Sequence, residues 1–227
     1  MTSLQFTPAL QLQTLFVLRE DGRILSTREP NPSHGPTFSL VRGPTECACA
    51  VHADMPDALA DRLVALAREE APTSAFEAAP VHARRYIALA GETVSAGPAF
   101  LFPIAVPTHT GIVTVTDLFQ LERNFRGWTA AELSACAPIL SVLQDGHAVS
   151  VCFSARRSAV AAEAGLETAA AFRGQGLGPR VTAAWAAATR VAGRLPLYST
   201  SWSNHASLAV ARKLSLERCA SDWSLSP

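Results

Sequence analysis

The sequence predicts an α/β (α+β) protein: a mixed, mostly antiparallel sheet flanked by helices, preceded by a smaller α+β part. Three observations carry this. Residues 147–213 read strand, strand, Gly-rich turn, helix, strand, helix, which is a βαβ unit joined to an antiparallel partner. Upstream, short apolar runs alternate with turn signals around one amphipathic helical pattern. The chain has 227 residues, 48% hydrophobic and 17% charged, enough for one large domain or two small ones with a real core. A boundary is expected near residue 97, dividing the chain into 1–97 and 98–227.

Taken in order, "LQTLFVL" has a strand-like pattern, "REDG" supplies a turn and "RILST" the return strand of a hairpin. A Pro/Asn/Gly loop leads to two short strands, "FSLVRG" and "CACAVHA". Leu59, Leu63 and Leu66 recur at helical spacing before Pro72, so a helix is expected there. "VHARRYIALA" suggests another helix and "GETVSAGPAF" a loop. "AFLFPIAVP" and "GIVTVTD" are strand-like. "GWTAAELSACAPILSVLQDG" is expected as one helix, with a Thr129/Glu132 capping box and a stop at Gly146. "HAVSVCFSA" and "AVAAEAGLETA" form the next strand pair. Pro179 suits the first turn of a helix that stops at Gly193. "LPLYSTSW" is a further strand, Asn204 caps a last helix, and "LERCASDWSLSP" is expected to be a short tail.

Several function classes are set aside early. No window of about 18 apolar residues is present, so no membrane span is expected. The first twenty residues lack a basic start, so no secretory signal is expected either. Five cysteines, an odd number, suit a reducing, cytoplasmic setting better than a disulfide framework. Cys47, Cys49 and His52 have the residue types of half a metal site, but a second ligand pair is missing and no metal is expected. Cys152, inside a strand, is expected to be a buried thiol rather than a nucleophile. Net charge is +0, yet no Asp or Glu occurs between Glu167 and Glu217, while Arg173, Arg180, Arg190, Arg194, Arg212 and Lys213 all fall there. This favours an anionic ligand. The basic residues are too few, and too poor in interleaved aromatics, for nucleic acid.

The anion is expected at "RGQGLG", residues 173–178. A turn between a strand and a helix presents free backbone N–H groups at the positive end of the helix dipole, and glycines let the backbone approach closely. A phosphate-binding GxxxxGK[ST] loop is excluded, because Lys213 is the only lysine. A dinucleotide GxGxxG fingerprint is excluded by the GxGxG spacing and by the missing downstream acid.

Arg173-Gly174-Gln175-Gly176-Leu177-Gly178 resembles the R/Q-x-x-G-x-G/A motif of the GNAT-type N-acetyltransferase superfamily, with Phe172 before it. About thirty residues downstream, "WSNHASLAVARKLSLE" resembles that superfamily's Asn-led helix. The likeness is specific over residues 145–217, and is similar to a bacterial subgroup with an extra amino-terminal domain; a degenerate copy of the same fold is one reading of that domain. The resemblance implies acetyl-CoA as co-substrate. Its pyrophosphate would lie on the amides of Arg173, Gly174, Gln175, Gly176, Leu177 and Gly178. Its pantetheine arm would run along Leu166, Glu167, Thr168 and Ala169 and meet Asn204.

Transfer to an amine requires removing a proton, since an alkylammonium with a pKa near ~10 has no free lone pair at neutral pH. Glu163 and Glu167 are separated by four on one strand and share a face, which makes them the candidate bases, Glu163 first. An ion pair with Arg156 or Arg157 is the plain alternative for either. Ala211 stands where the resemblance expects a proton-donating tyrosine, leaving Ser207, Tyr198 or solvent for that role. His205 is a lesser candidate, and His147, Trp185, Trp202 and Phe172 are expected to be structural. The expected activity is acetylation of a primary amine on a small molecule by direct transfer in a ternary complex, with a homodimer left open. An acyl-CoA-binding regulatory module without catalysis is the rival that the missing tyrosine supports.

Overall fold

The computed structural model of the protein describes residues 5–226. Thr7 starts α1 (Pro8–Leu15): its side chain accepts the Leu10 N–H, and Pro8 occupies a position that needs no N–H of its own. That cap is why the predicted strand "LQTLFVL" is mostly helix and leaves only β1 (Phe16–Leu18) extended. There follow β2 (Ile24–Thr27), β3 (Phe38–Arg42), β4 (Cys47–Val51), α2 (Asp57–Arg68) and α3 (Ala83–Ala90). The expected loop "GETVSAGPAF" is instead the nine-residue β5 (Thr93–Leu101). Next come the two-residue β6 (Val113–Thr114) and a short helix the sequence pattern missed, α4 (Phe119–Glu122).

The helix expected over residues 127–146 divides in two. The Thr129/Glu132 capping box is present, but α5 (Ala130–Ala135) ends ahead of Pro138, whose ring and missing N–H do not fit a helix interior. "LSVLQ" then forms β7 (Leu140–Gln144), and Asp145 and Gly146, both at positive φ, turn the chain into β8 (His147–Arg157). The remaining elements are β9 (Ala161–Thr168), α6 (Leu177–Val191), β10 (Leu195–Ser199), α7 (His205–Lys213) and β11 (Glu217–Ser226). The last of these corrects the expected short tail: alternate residues of β11 (Cys219, Ser221, Trp223 and Leu225) are buried, as in a half-buried strand.

The chain forms two compact units, and a single boundary does not describe them. The first takes the residues up to Phe100 together with Ser199–His205 and the segment from Arg218 onward; the second takes Leu101–Tyr198 and Ala206–Glu217. In the first unit the strand order is β4-β3-β11-β5, beside a separate β1–β2 hairpin. α2 and α3 cover Phe38, Leu40, Trp223 and Leu225, with Leu63 and Tyr86 fully buried between them. In the second unit the order is β10-β9-β8-β7-β6. Its pairs are antiparallel except β9 with β10. α6 packs against β8 and β9 through Trp185, whose indole donates to Ser154 Oγ at 3.2 Å. α4 and α5 build a second cluster with Leu121, Phe125, Ile139 and Val151.

Candidate functional site

The second unit holds a fork. β9 and β10 run parallel and pair over three residues only, ending at Leu197 opposite Glu163. β9 nevertheless continues to Thr168, where it still pairs with β8 (Ser150 opposite Thr168). Ala164–Thr168 therefore keep one backbone edge away from β10, an extended edge against which an amide-bearing chain can lie as a neighbouring strand would. Leu166, Thr168 and Ala169, half-buried, and exposed Glu167 line the open stretch or follow it. On the face shared by Glu163 and Glu167, Phe153 crosses the strand. A Cβ on Gly165 would stand 2.5 Å from Phe153 Cε2, so that crossing requires glycine.

Beyond the open stretch, a short turn at Ala170–Phe172 delivers the chain into the glycines. Gly174 and Gly176 have φ of +77° and +74°, a region costly for most side chains. Nothing lies within 4 Å of a Cβ built on either, so the space beside both is open. Gly176 is the amino-terminal cap of the 15-residue α6 and has no side-chain cap bond. Among the described residues, the N–H groups of Gly174, Gln175 and Gly176 make no backbone hydrogen bond of ordinary geometry. Uncapped N–H groups at the start of a helix of this length form a ready anion seat. Gly178 lies one turn in, where its missing side chain faces Leu166 and Val210, which joins the ends of β9, α6 and α7. Arg173 and Gln175 fold back on the turn itself, donating to Thr168 O at 3.2 Å and Ala171 O at 3.3 Å. Arg180 donates to Thr110 O at 2.8 Å.

Glu163 stands at the apex of the fork, 3% exposed, with Arg156 Nη1 donating to its Oε1 at 3.0 Å. The two residues are cross-strand neighbours in the β8–β9 register, so the pair is built into the sheet. Glu167 is exposed. Tyr198 is buried and donates its hydroxyl to Ser207 O at 3.3 Å. Burial pushes its pKa up to about 12, so it stays protonated at neutral pH. Ser207 is half-buried in the first turns of α7, and Ala211 is buried at 1% exposure, offering no proton where a tyrosine is expected. Asn204 is exposed, immediately before α7, with its N–H on Ser201 O at 3.1 Å; by compactness it belongs to the returning segment of the first unit. His205 is exposed too.

Of the residues expected to be structural, Phe172 and Trp202 are half-buried. Trp185 is fully buried, and His147 Nδ1 lies 3.0 Å from Phe119 O. Cys152 is wholly buried and its thiol pKa is pushed up by desolvation, which removes it as a nucleophile. Cys47 and Cys49 pack beside the first unit's core and burial pushes Cys49 up to about 11, while His52 meets His34 and Asp54 instead of the thiols. The fork was not visible in the sequence, because where two strands part is a matter of register. Its one legible trace is Gly165 amid strand-forming residues.

The sequence profile of the family described as GNAT acetyltransferase matches residues 140–221, from β7 into β11. Over this segment, a little over a third of the chain, the sequence matches that family. Among solved structures, it is similar to a protein of Novosphingobium aromaticivorans placed in the GNAT family as an acetyltransferase. That match has 20% identity over 59% of this chain and 64% of the other, with a TM-score of 0.47. The chain thus spans just under two thirds of that structure's length. It is also similar to a GNAT-family acetyltransferase of Colwellia psychrerythraea, at 12% identity over 92% and 80% of the two chains and a TM-score of 0.49. A GCN5-related N-acetyltransferase-like protein of Streptococcus suis matches at 16% identity over 86% of each chain, with a TM-score of 0.43. No curated protein matches the sequence. That family generally uses an acyl-CoA as co-substrate, and the mixed sheet with flanking helices agrees with its fold. Among the described residues, no helix is long and apolar enough to cross a membrane.

Proposed function

We propose that this protein transfers an acetyl group from acetyl-CoA to a primary amine of a small molecule, directly, within a ternary complex. The observation that carries the proposal is the open half of β9 running into the open glycine turn of α6. An extended amide chain ending in a pyrophosphate fits that sequence of surfaces: a free strand edge, then uncapped N–H groups at positive-φ glycines. When bound, acetyl-CoA supplies the acetyl thioester. The amides of Gly174, Gln175, Gly176, Leu177 and Gly178 hold the phosphates, and Leu166–Ala169 align the amide arm.

Glu163 receives the proton of the acceptor ammonium, directly or through a water, and Arg156 keeps its carboxylate oriented. The freed amine then forms the carbon–nitrogen bond as the carbon–sulfur bond breaks, and the nitrogen's surplus proton leaves to water. Tyr198 or solvent returns a proton to the departing sulfur; Glu167 and Ser207 stand by in lesser roles. The test is titration calorimetry with acetyl-CoA, followed by thiol release across polyamines, amino acids and aminoglycosides. Binding with amine-dependent thiol release supports the transferase, and absence of binding rejects it.

A second assignment, an acyl-CoA-binding regulatory module, is favoured by one observation: buried Ala211 offers no hydroxyl, and the Tyr198 hydroxyl is given to Ser207 O. Binding without thiol release from any amine would select it.

A further inference from the structure

The amino-terminal unit brings together three metal-ligating side chains from two separate stretches of chain. His34 lies in the connection between β2 and β3, while His52 and Asp54 lie between β4 and α2. His34 Nε2 is 3.1 Å from Asp54 Oδ2, and His52 Nδ1 is 3.6 Å from the same oxygen. All three donor atoms fall within 4.8 Å of one another. Two donors about 2.1 Å from one tetrahedral zinc ion sit roughly 3.4 Å apart, a spacing that the two His–Asp distances already approach.

We propose that His34, His52 and Asp54 bind a divalent transition-metal ion, Zn2+ by the chemistry of the donors, and that the ion staples the β2–β3 connection to the β4–α2 turn. Two imidazoles and one carboxylate suit a borderline cation such as zinc better than Ca2+ or Mg2+, which take oxygen donors. Water completes the coordination on the exposed side, since the side chains of His34 and Asp54 are 64% and 78% exposed.

The feature that sets this cluster apart from a surface His–Asp contact is the orientation of His52. Its ring is buried, and Nε2 lies 3.0 Å from His34 O, an acceptor that fixes the proton on that nitrogen. The Nδ1 lone pair is thereby directed at Asp54. A ligand histidine held through its other nitrogen by a backbone carbonyl has the second-sphere support that metal sites use. At present that lone pair receives the Asp54 N–H at 3.2 Å, a long bond that the ion replaces. The two rings are stacked, with centroids 3.6 Å apart and 16° between planes. Binding therefore turns the exposed His34 ring until its Nε2 points at the ion, while the His34 carbonyl keeps its bond to His52. Cys47 and Cys49 take no part, because they pack beside the core of the same unit.

The experiment uses the full chain and ZnCl2 alone. Calorimetry is expected to give one ion per chain, and zinc is expected to raise the melting temperature. His34→Ala and Asp54→Asn, both at exposed positions, are each expected to weaken zinc binding at least tenfold and to remove the thermal shift. A Cys47→Ser/Cys49→Ser double variant is expected to bind zinc as the parent does. Cobalt loading is expected to give a visible spectrum without a sulfur-to-metal charge-transfer band. No stoichiometric binding at micromolar zinc, unchanged binding in the His34 and Asp54 variants, loss of binding in the cysteine variant, or a sulfur charge-transfer band would each overturn the assignment.

Discussion

β9 has two halves with opposite surroundings. Ala161–Glu163 are paired with β10, Ala162 and Glu163 with β8 as well, and all three are buried. Ala164–Thr168 are paired by β8 alone and grade from buried to exposed. The first half is held as the interior of a sheet is held; the second is a ledge. The same alternation of residues runs through both, so the difference comes from β10 leaving, and Glu163 is the residue at which it leaves. Substitutions in the interior of the paired half should act on stability, at its last residue, Glu163, on turnover, and at the glycine turn on ligand binding.

The largest expected effect on ligand binding is at the glycine turn. Gly176→Asp puts a carboxylate where phosphate is expected, while Asp tolerates positive φ better than most residues. Acetyl-CoA affinity should fall by at least about a hundredfold, on the order of 3 kcal/mol, with the melting temperature little changed. Unchanged affinity in calorimetry would break the comparison. In the paired core, Trp185→Ala should cost about 3–5 kcal/mol in urea unfolding, through lost packing and the abandoned Ser154 hydroxyl. A loss below about 1 kcal/mol would mean that α6 is not clamped on this side.

At the apex, Glu163→Gln should lower kcat about 100-fold, whereas Glu167→Gln, on the exposed ledge, should change kcat less than about threefold. A larger effect of Glu167→Gln than of Glu163→Gln would move the base to Glu167. The smallest effect is alkaline. Burial raises Tyr198 from 10.0 to about 12 and Cys136 from 9.0 to about 11. The unfolded chain releases these protons first, so stability is full below about pH 9 and declines as pH rises toward 12, by at most about 1.4 kcal/mol per pH unit for each group. Tyr198→Phe should flatten the decline above pH 10 in pH-dependent urea melts.

What the sequence disclosed follows from locality. "RGQGLG" was legible because positive-φ glycines, a following helix and a first-turn proline all act within a few residues. The Thr129/Glu132 cap and the β8–β9 hairpin were legible for the same reason. The helix predicted through residue 146 failed because the capping signal was extended past Pro138, where the chain had already become β7. β5 was hidden by Gly97 and Pro98, which mark turns in most settings and here lie inside a strand. The apex position of Glu163 and the meeting of His34 with Asp54 depend on register and on a loop's return. Neither is encoded in spacing.

β11 imposes a schedule on folding. It lies between β3 and β5, so it is an inner strand of the amino-terminal unit's sheet, yet everything from Leu101 to Tyr198 is synthesised before it. While the nascent chain waits for β11, β3 and β5 each lack the neighbour that separates them, and unpaired strand edges invite association with other chains. A fragment cut at residue 97 is therefore an incomplete sheet rather than a small domain. Expressed alone, it should aggregate.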